Sequence, residues 1–245
     1  MPSLCALCGL NRDLRNSHIL PEFFYKLIYD PNPQRFHVLS TEPSTPERFL
    51  QKGLRERLLC GDCEQKLSRW EHYAKRVLID AHGVQVTPVS HGWVFSGIDY
   101  KRFKLFQLSL LWRMGVSNLP FFEDVELGPH EARLRTALLN ADPLQPDNYA
   151  CLVIAVRIGQ KLYPDWILEP SEARVEGQRC YWLVISGMLY MFFVGSHTAP
   201  RIATPFVLNT QNQMGVLDMD IHDIPFLSQA ALKLRDAINT RKTAG

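Results

Sequence analysis

The chain has 245 residues, 46% hydrophobic and 21% charged, enough to bury a core without disulfide staples and too apolar for global disorder. Its 27 Lys and Arg against 25 Asp and Glu leave +2, which excludes a strongly basic chain that coats nucleic acid by bulk charge, so a polyanion must be met by a local patch. No basic, apolar leader opens the sequence, and the longest apolar stretch, Tyr181 to Gly195, is fifteen residues broken by Ser186-Gly187. That is too short to span a bilayer, so the expected location is cytoplasmic, with no membrane partner and with unligated cysteines reduced.

In chain order, residues 1–83 read as a first, irregular unit. Cys5-x-x-Cys8 opens it, and Pro21 to Tyr29 reads as a short helix with proline at its first turn. Pro31, Pro33, Pro43 and Pro46 mark a long loop, with Phe36–Leu39 as a short strand inside it. Cys60-x-x-Cys63 leads into a helix from Glu64 to about Asp80, whose apolar positions Leu67, Trp70, Ala74, Val77 and Leu78 keep the helical period. Glu64, Ser68, Glu71 and Lys75 share the opposite face, within about 60° of one another at roughly 100° per residue. That face is either solvated, with Glu71 and Lys75 as an exposed pair, or a site. A small core of Phe23, Phe24, Leu27, Trp70, Ala74 and Val77 is expected.

The pattern changes after His82-Gly83, so residues 84–245 form a second unit. Val84–Val89 and Gly92–Phe95 read as strands, Lys101–Met114 and Pro129–Asn140 as helices. Tyr149–Ile158, Arg179–Ile185 and Met188–Val194 are strands, the last two a hairpin about Ser186-Gly187; Phe206–Leu208 is a further strand and Pro225–Thr240 a terminal helix. Without βαβ regularity this is an α+β chain with an antiparallel sheet in its second unit, covered by the helices at 101–114 and 225–240. Cys151 and Cys180 lie in apolar runs and read as buried small hydrophobes. No Walker loop, dinucleotide fingerprint or nucleophile elbow occurs.

The chemistry concentrates in the first unit. Two C-x-x-C turns in a reducing compartment are a strong zinc signature, because each turn presents two soft thiolates and zinc takes four in a tetrahedron. The 51 residues between Cys8 and Cys60 make the ion a clamp between two ends of the unit. Residues 1–83 carry twelve Lys and Arg against ten Asp and Glu, an excess that four thiolates on one Zn²⁺ cancel.

Between the pairs stands Ser17-His18-Ile19-Leu20-Pro21, and the second pair reads Leu59-Cys60-Gly61-Asp62-Cys63-Glu64. Over about residues 4–80 this ordered set resembles the zinc-containing branch of the HNH (His-Asn-His, ββα-metal) endonucleases. The resemblance implies a zinc-stabilised, treble-clef-like ββα-metal module followed by the α+β second unit, and hydrolysis of phosphodiester bonds in DNA. It implies that Cys5, Cys8, Cys60 and Cys63 hold a structural zinc and that His18 is the base that activates water. A second ion, Mg²⁺ or Mn²⁺, would sit at Ser17 and Glu64. Two of the three name-giving residues differ, and so does the metal ligand that precedes His18. Ser17 stands where the family has an acidic residue or histidine, Glu64 where it has histidine, and Arg55 nearest the place of the asparagine, where it can contact phosphate. An active nuclease with altered ligands, acting on foreign or damaged DNA as a bacterial defence effector, and an inactive zinc-stabilised module that binds nucleic acid or protein both fit. An HNH-like start before this type of second unit also resembles uncharacterised bacterial proteins, which implies no function for the C-terminal unit beyond docking a partner or forming a homodimer.

Overall fold

The structure, a computed structural model, describes residues 3–29, 36–39, 48–50, 53–162, 166–195 and 199–227. The first elements are small. Strands β1 (Ser3–Leu4) and β2 (Asn11–Arg12) pair as a miniature hairpin; β3 (Leu14–His18) is followed by helix α1 (Glu22–Ile28), and β4 (Phe36–Leu39) pairs antiparallel with β5 (Arg48–Leu50). β6 (Arg55–Cys60) runs straight into α2 (Gly61–Leu78). β3 and β6 pair antiparallel in a sheet of their own, so β3, β6 and α2 make a ββα unit. The core expected for this segment is buried except for Leu27, which is 42% exposed. Ile28 and Tyr25 turn inward from α1 in its place.

The second half supplies β7 (Gln85–Val89), β8 (Gly92–Ser96), α3 (Tyr100–Val116), α4 (Pro129–Asn140), β9 (Cys151–Ile158), β10 (Lys161–Leu162), β11 (Trp166–Val175), β12 (Gln178–Ile185), β13 (Met188–Phe193) and β14 (Gln213–Asp220). Ten strands form one sheet in the order β5-β4-β11-β12-β13-β9-β14-β8-β7, with β10 paired to β9 beside this path. It is mostly antiparallel, but β4–β11 and β9–β14 are parallel. The central strands are apolar at nearly every position because both faces are covered. Along β12, Tyr181, Leu183 and Ile185 face one core with α1, α2, α3 and α4; Cys180, Trp182 and Val184 face another, beneath residues such as Ala203, Ile221 and Leu227. β7 closes one edge, exposed along its whole length and carrying Pro88, as an edge strand tolerates.

Several expectations change. β11 and β14 carry no clean strand pattern. Pro170 interrupts β11 and is accommodated by a register shift between Leu168 and Ser171, while Gly215, Asp218 and Asp220 punctuate β14. Phe206–Leu208 is a turn, not a strand; the Phe206 carbonyl accepts from the Gly215 N–H of β14 at 2.9 Å. Pro225–Leu227 is a single 3₁₀ turn, and the remainder of the expected terminal helix lies outside the described residues, as does the proline loop. Packing also continues across residues 83 and 84. The β4–β5 hairpin extends the C-terminal sheet, and Phe23, Phe24 and Trp70 belong to one buried cluster with Phe106, Tyr190 and Val153.

Helix α3 is buried on every side from Phe103 to Met114, including Lys104, Gln107, Ser109 and Arg113. A helix buried all round lies inside a core, and its polar groups must find partners there. Lys104 Nζ donates to the Pro146 and Tyr149 carbonyls at 3.2 and 3.1 Å, yet burial holds its pKa down at about 8. A lysine depressed on folding sheds its proton first in the native state. From about pH 8 to the unfolded value near 10.4 this lysine therefore holds more proton in the unfolded chain, and its contribution to stability rises with pH across that window. In denaturant titrations the slope of stability against pH should be more positive in the native protein than in Lys104→Met; equal slopes in the two proteins would contradict it.

Candidate metal centre and candidate active site

The first C-x-x-C turn is built by local backbone bonding. Cys5 N–H donates to Leu10 O at 3.0 Å, Gly9 N–H to Cys5 O at 2.8 Å, and Gly9 adopts a left-handed φ of 72° that closes the knuckle. Ala6 N–H bonds to Leu58 O at 3.1 Å and Cys60 N–H to Cys5 Sγ at 3.3 Å, which brings the knuckle onto the end of β6. Cys60 is the N-cap of α2, and Cys63 lies in its first turn, where the positive end of the helix favours thiolates. From α4, Arg135 Nε donates to Leu7 O at 2.6 Å and braces the knuckle.

The four sulfurs lie within 4.8 Å of one another, and Cys8 Sγ is 3.9 Å from Cys60 Sγ. Zinc–sulfur bonds of about 2.3 Å set tetrahedral sulfurs roughly 3.8 Å apart, so the cluster could hold a zinc-like ion. Its protonation fits the same reading. Burial pushes the Cys5 thiol up, but N–H bonds from the backbone of Cys8, Cys60 and Leu7 outweigh it and bring it down to about 7. Burial and the neighbouring cysteines drive Cys63 upward. Four crowded sulfurs cannot all ionise unless a cation shares their charge. Cys151 and Cys180 are buried apart from this cluster, as small hydrophobes.

Beside the cluster, the polar face of α2 turns out to be the wall of a cavity of about 330 Å³. Glu64, Ser68, Glu71, His72 and Lys75 line it from α2, His18 from the end of β3, and Glu22, Phe23 and Lys26 from α1. Both His18 Nε2 and Glu64 Oε1 are buried without a hydrogen-bond partner among the described residues. Burial lowers the His18 pKa, and the Arg55 charge lowers it further, while Glu22 and Glu71 oppose this. A lowered imidazole is neutral at pH 7 and free to accept a proton. Burial raises the Glu64 carboxyl, and the Ser17 hydroxyl beside it draws it partly back.

Strand pairing explains where these side chains stand. His18 is directly opposite Arg55 in the β3–β6 ladder, which puts both on one face. Arg55 is exposed beside His18, free to meet a ligand. Tyr25 OH accepts from Leu54 N–H at 3.0 Å, and Gly53 lies against the rings of Tyr25 and His18, where a Cβ would come within 2.8 Å and 3.1 Å of them. A side chain at position 53 would therefore displace the Tyr25 ring and press on that of His18.

His18 and Glu64 line one cavity, Arg55 stands opposite His18 in the ladder without lining that cavity, and Ser17, beside Glu64, also takes part in the strand pairing. Ser17 is fully buried and its Oγ accepts from Leu59 N–H at 3.1 Å, a bond that fixes the β3–β6 bulge between Arg15 and Asn16. The expected pair of Glu71 with Lys75 is replaced by an ion pair between Glu71 Oε1 and Arg113 Nη2 of α3, 2.6 Å apart. Glu22, Lys26 and Arg113 were not legible as site residues, because their approach depends on long-range packing rather than on any local spacing. Among the described residues, the four cysteines are the only group of three or more His, Cys, Asp or Glu side chains placed to share a metal ion. No helix among these residues is long and apolar enough to cross a membrane. Comparison of the chain with protein-family models, with curated proteins and with solved structures gave no match.

Proposed function

We propose that the chain is a metal-dependent endonuclease of the HNH type that hydrolyses phosphodiester bonds in DNA, built on a structural zinc at Cys5, Cys8, Cys60 and Cys63. The observation that supports this most is the cavity on the ββα unit, where His18 and Glu64 each carry an unsatisfied buried polar atom. An unpaired buried polar group costs stability, and in a cavity a ligand or water can meet it.

The donor set suits a hard divalent ion in one respect. Glu64 offers a free carboxylate oxygen, and magnesium is commonly bound through one or two carboxylates with water and substrate phosphate oxygens filling the rest. When bound, such an ion supplies charge neutralisation at the phosphate. The chain's own residues do the remainder. His18, neutral at pH 7, takes a proton from water as its oxygen forms a bond to phosphorus and the bond to the leaving oxygen breaks. Arg55, opposite His18 in the ladder, contacts a phosphate oxygen, and Lys26 and Lys75 draw the backbone to the cavity. With a net charge of only +2, this local set supplies the attraction that bulk charge does not.

A second reading, an inactive zinc-stabilised module that binds nucleic acid or protein, is favoured by Ser17, a neutral hydroxyl that already accepts from Leu59 N–H where the family has a charged or imidazole ligand. Metal dependence separates the two. Glu64→Gln should shift the Mg²⁺ concentration for half-maximal cleavage upward by about tenfold and leave zinc content unchanged. An unchanged Mg²⁺ dependence would remove Glu64 from the metal site.

A further inference from the structure

We propose that Arg113, contributed by α3 from the second half of the chain, is the positioning residue that sets His18 in the active site. This rests on the nuclease reading above. Arg113 is 2% exposed, and its guanidinium reaches three elements at once. Nε donates to Ser109 O of its own helix at 3.3 Å, Nη1 donates to the carbonyl of His18 on β3 at 2.8 Å, and Nη2 meets Glu71 of α2 at 2.6 Å. The next peptide is held from the other side, where Ile19 N–H donates to Leu54 O at 3.0 Å. The C-terminal end of α3 grips β6 as well: Glu56 accepts from Ser117 Oγ at 2.9 Å, Asn118 N–H at 3.0 Å and Asn118 Nδ2 at 2.8 Å. One buried helix thus fixes both strands that carry His18 and Arg55.

Stability alone does not explain this arrangement. Arginine keeps its charge in the interior, and a buried ion pair is on average no more stabilising than well-packed apolar residues of the same volume. What the guanidinium supplies is geometry: Nη1 fixes the backbone carbonyl of the general base, while the charge of Nη2, which makes no hydrogen bond, meets Glu71 on the helix that forms the cavity wall. A base displaced by about 1 Å can lose about a hundredfold in rate. The C-terminal half is, on this account, part of the active site.

The test uses the full-length zinc-loaded protein with two variants. Arg113→Lys keeps the charge for Glu71 but loses the fork. The double variant Arg113→Met with Glu71→Met leaves no buried charge unpaired. Cleavage of a labelled DNA duplex gives kcat and KM, and NMR gives the contacts of the His18 ring with Gly53 and Tyr25. Both variants should stay folded with zinc bound. In the double variant kcat should fall about a hundredfold with KM within about twofold, Arg113→Lys should lie between it and the native protein, and the ring contacts should weaken in the same order. Folded variants with native ring contacts and native kcat overturn the proposal, and so does a double variant that cannot fold, which would make Arg113 structural. If the native protein cuts no DNA, the nuclease reading falls and the ring contacts alone decide: weakened contacts sustain the positioning role, native ones end it.

Discussion

Cys60→Ser is expected to empty the metal centre and to destabilise the protein by roughly 4 kcal/mol, beyond the range of most point substitutions. Cys60 is at once a thiolate of the cluster, the last residue of β6 and the N-cap of α2. Its loss therefore releases the knuckle from the helix that forms the cavity wall. For a chain of this length the melting temperature should fall by about 10 °C. The large sheet core does not depend on the ion, so hydrogen exchange should show protection lost first over residues 3–20 and the first turn of α2. Zinc content measured alongside the melt checks this. A variant that melts like the native protein with its zinc gone would show that the cluster is not structural.

The second large effect is on chemistry. His18→Ala should lower the single-turnover rate of DNA cleavage by about 10³-fold, within the usual span for removal of a general base. Zinc content and melting temperature should stay near native, because the Arg113 bond is to the His18 backbone carbonyl, which alanine retains. Binding of uncleaved DNA should also change little, since Arg55, Lys26 and Lys75 remain. Substantial residual cleavage by His18→Ala would assign the proton transfer to another group in the cavity, such as His72.

What could be read in the sequence was mostly local. The two C-x-x-C turns, the helix after the second, and the polar face of Glu64, Ser68, Glu71 and Lys75 follow from spacings of three or four residues, and all appear in the structure. Helix α4 matches its expected span, Pro129–Asn140, because proline and asparagine punctuate it. The failures are long-range or two-faced. Glu71 looks like a surface residue on its own helix and finds its partner on α3. Helix α3 reads as amphipathic from Phe103, Phe106, Leu110 and Met114, yet its other faces are buried too, and only that burial gives Arg113 a role. Ser17 shows what a motif position leaves unread: its hydroxyl also completes a strand pairing. β11 and β14 were hidden because a bulge at Pro170 and a glycine at 215 break the alternation that marks a strand.

The central claim is that the His18–Glu64 cavity hydrolyses DNA, and nicking of supercoiled plasmid tests it most directly. Zinc-loaded protein would be incubated with plasmid, with Mg²⁺ or Mn²⁺ supplied or omitted and no chelator present, beside His18→Ala prepared identically. The account predicts nicked and linear DNA only with the added divalent ion and only from the native protein. Intact plasmid from the native protein with either ion, or equal nicking by His18→Ala, would contradict it.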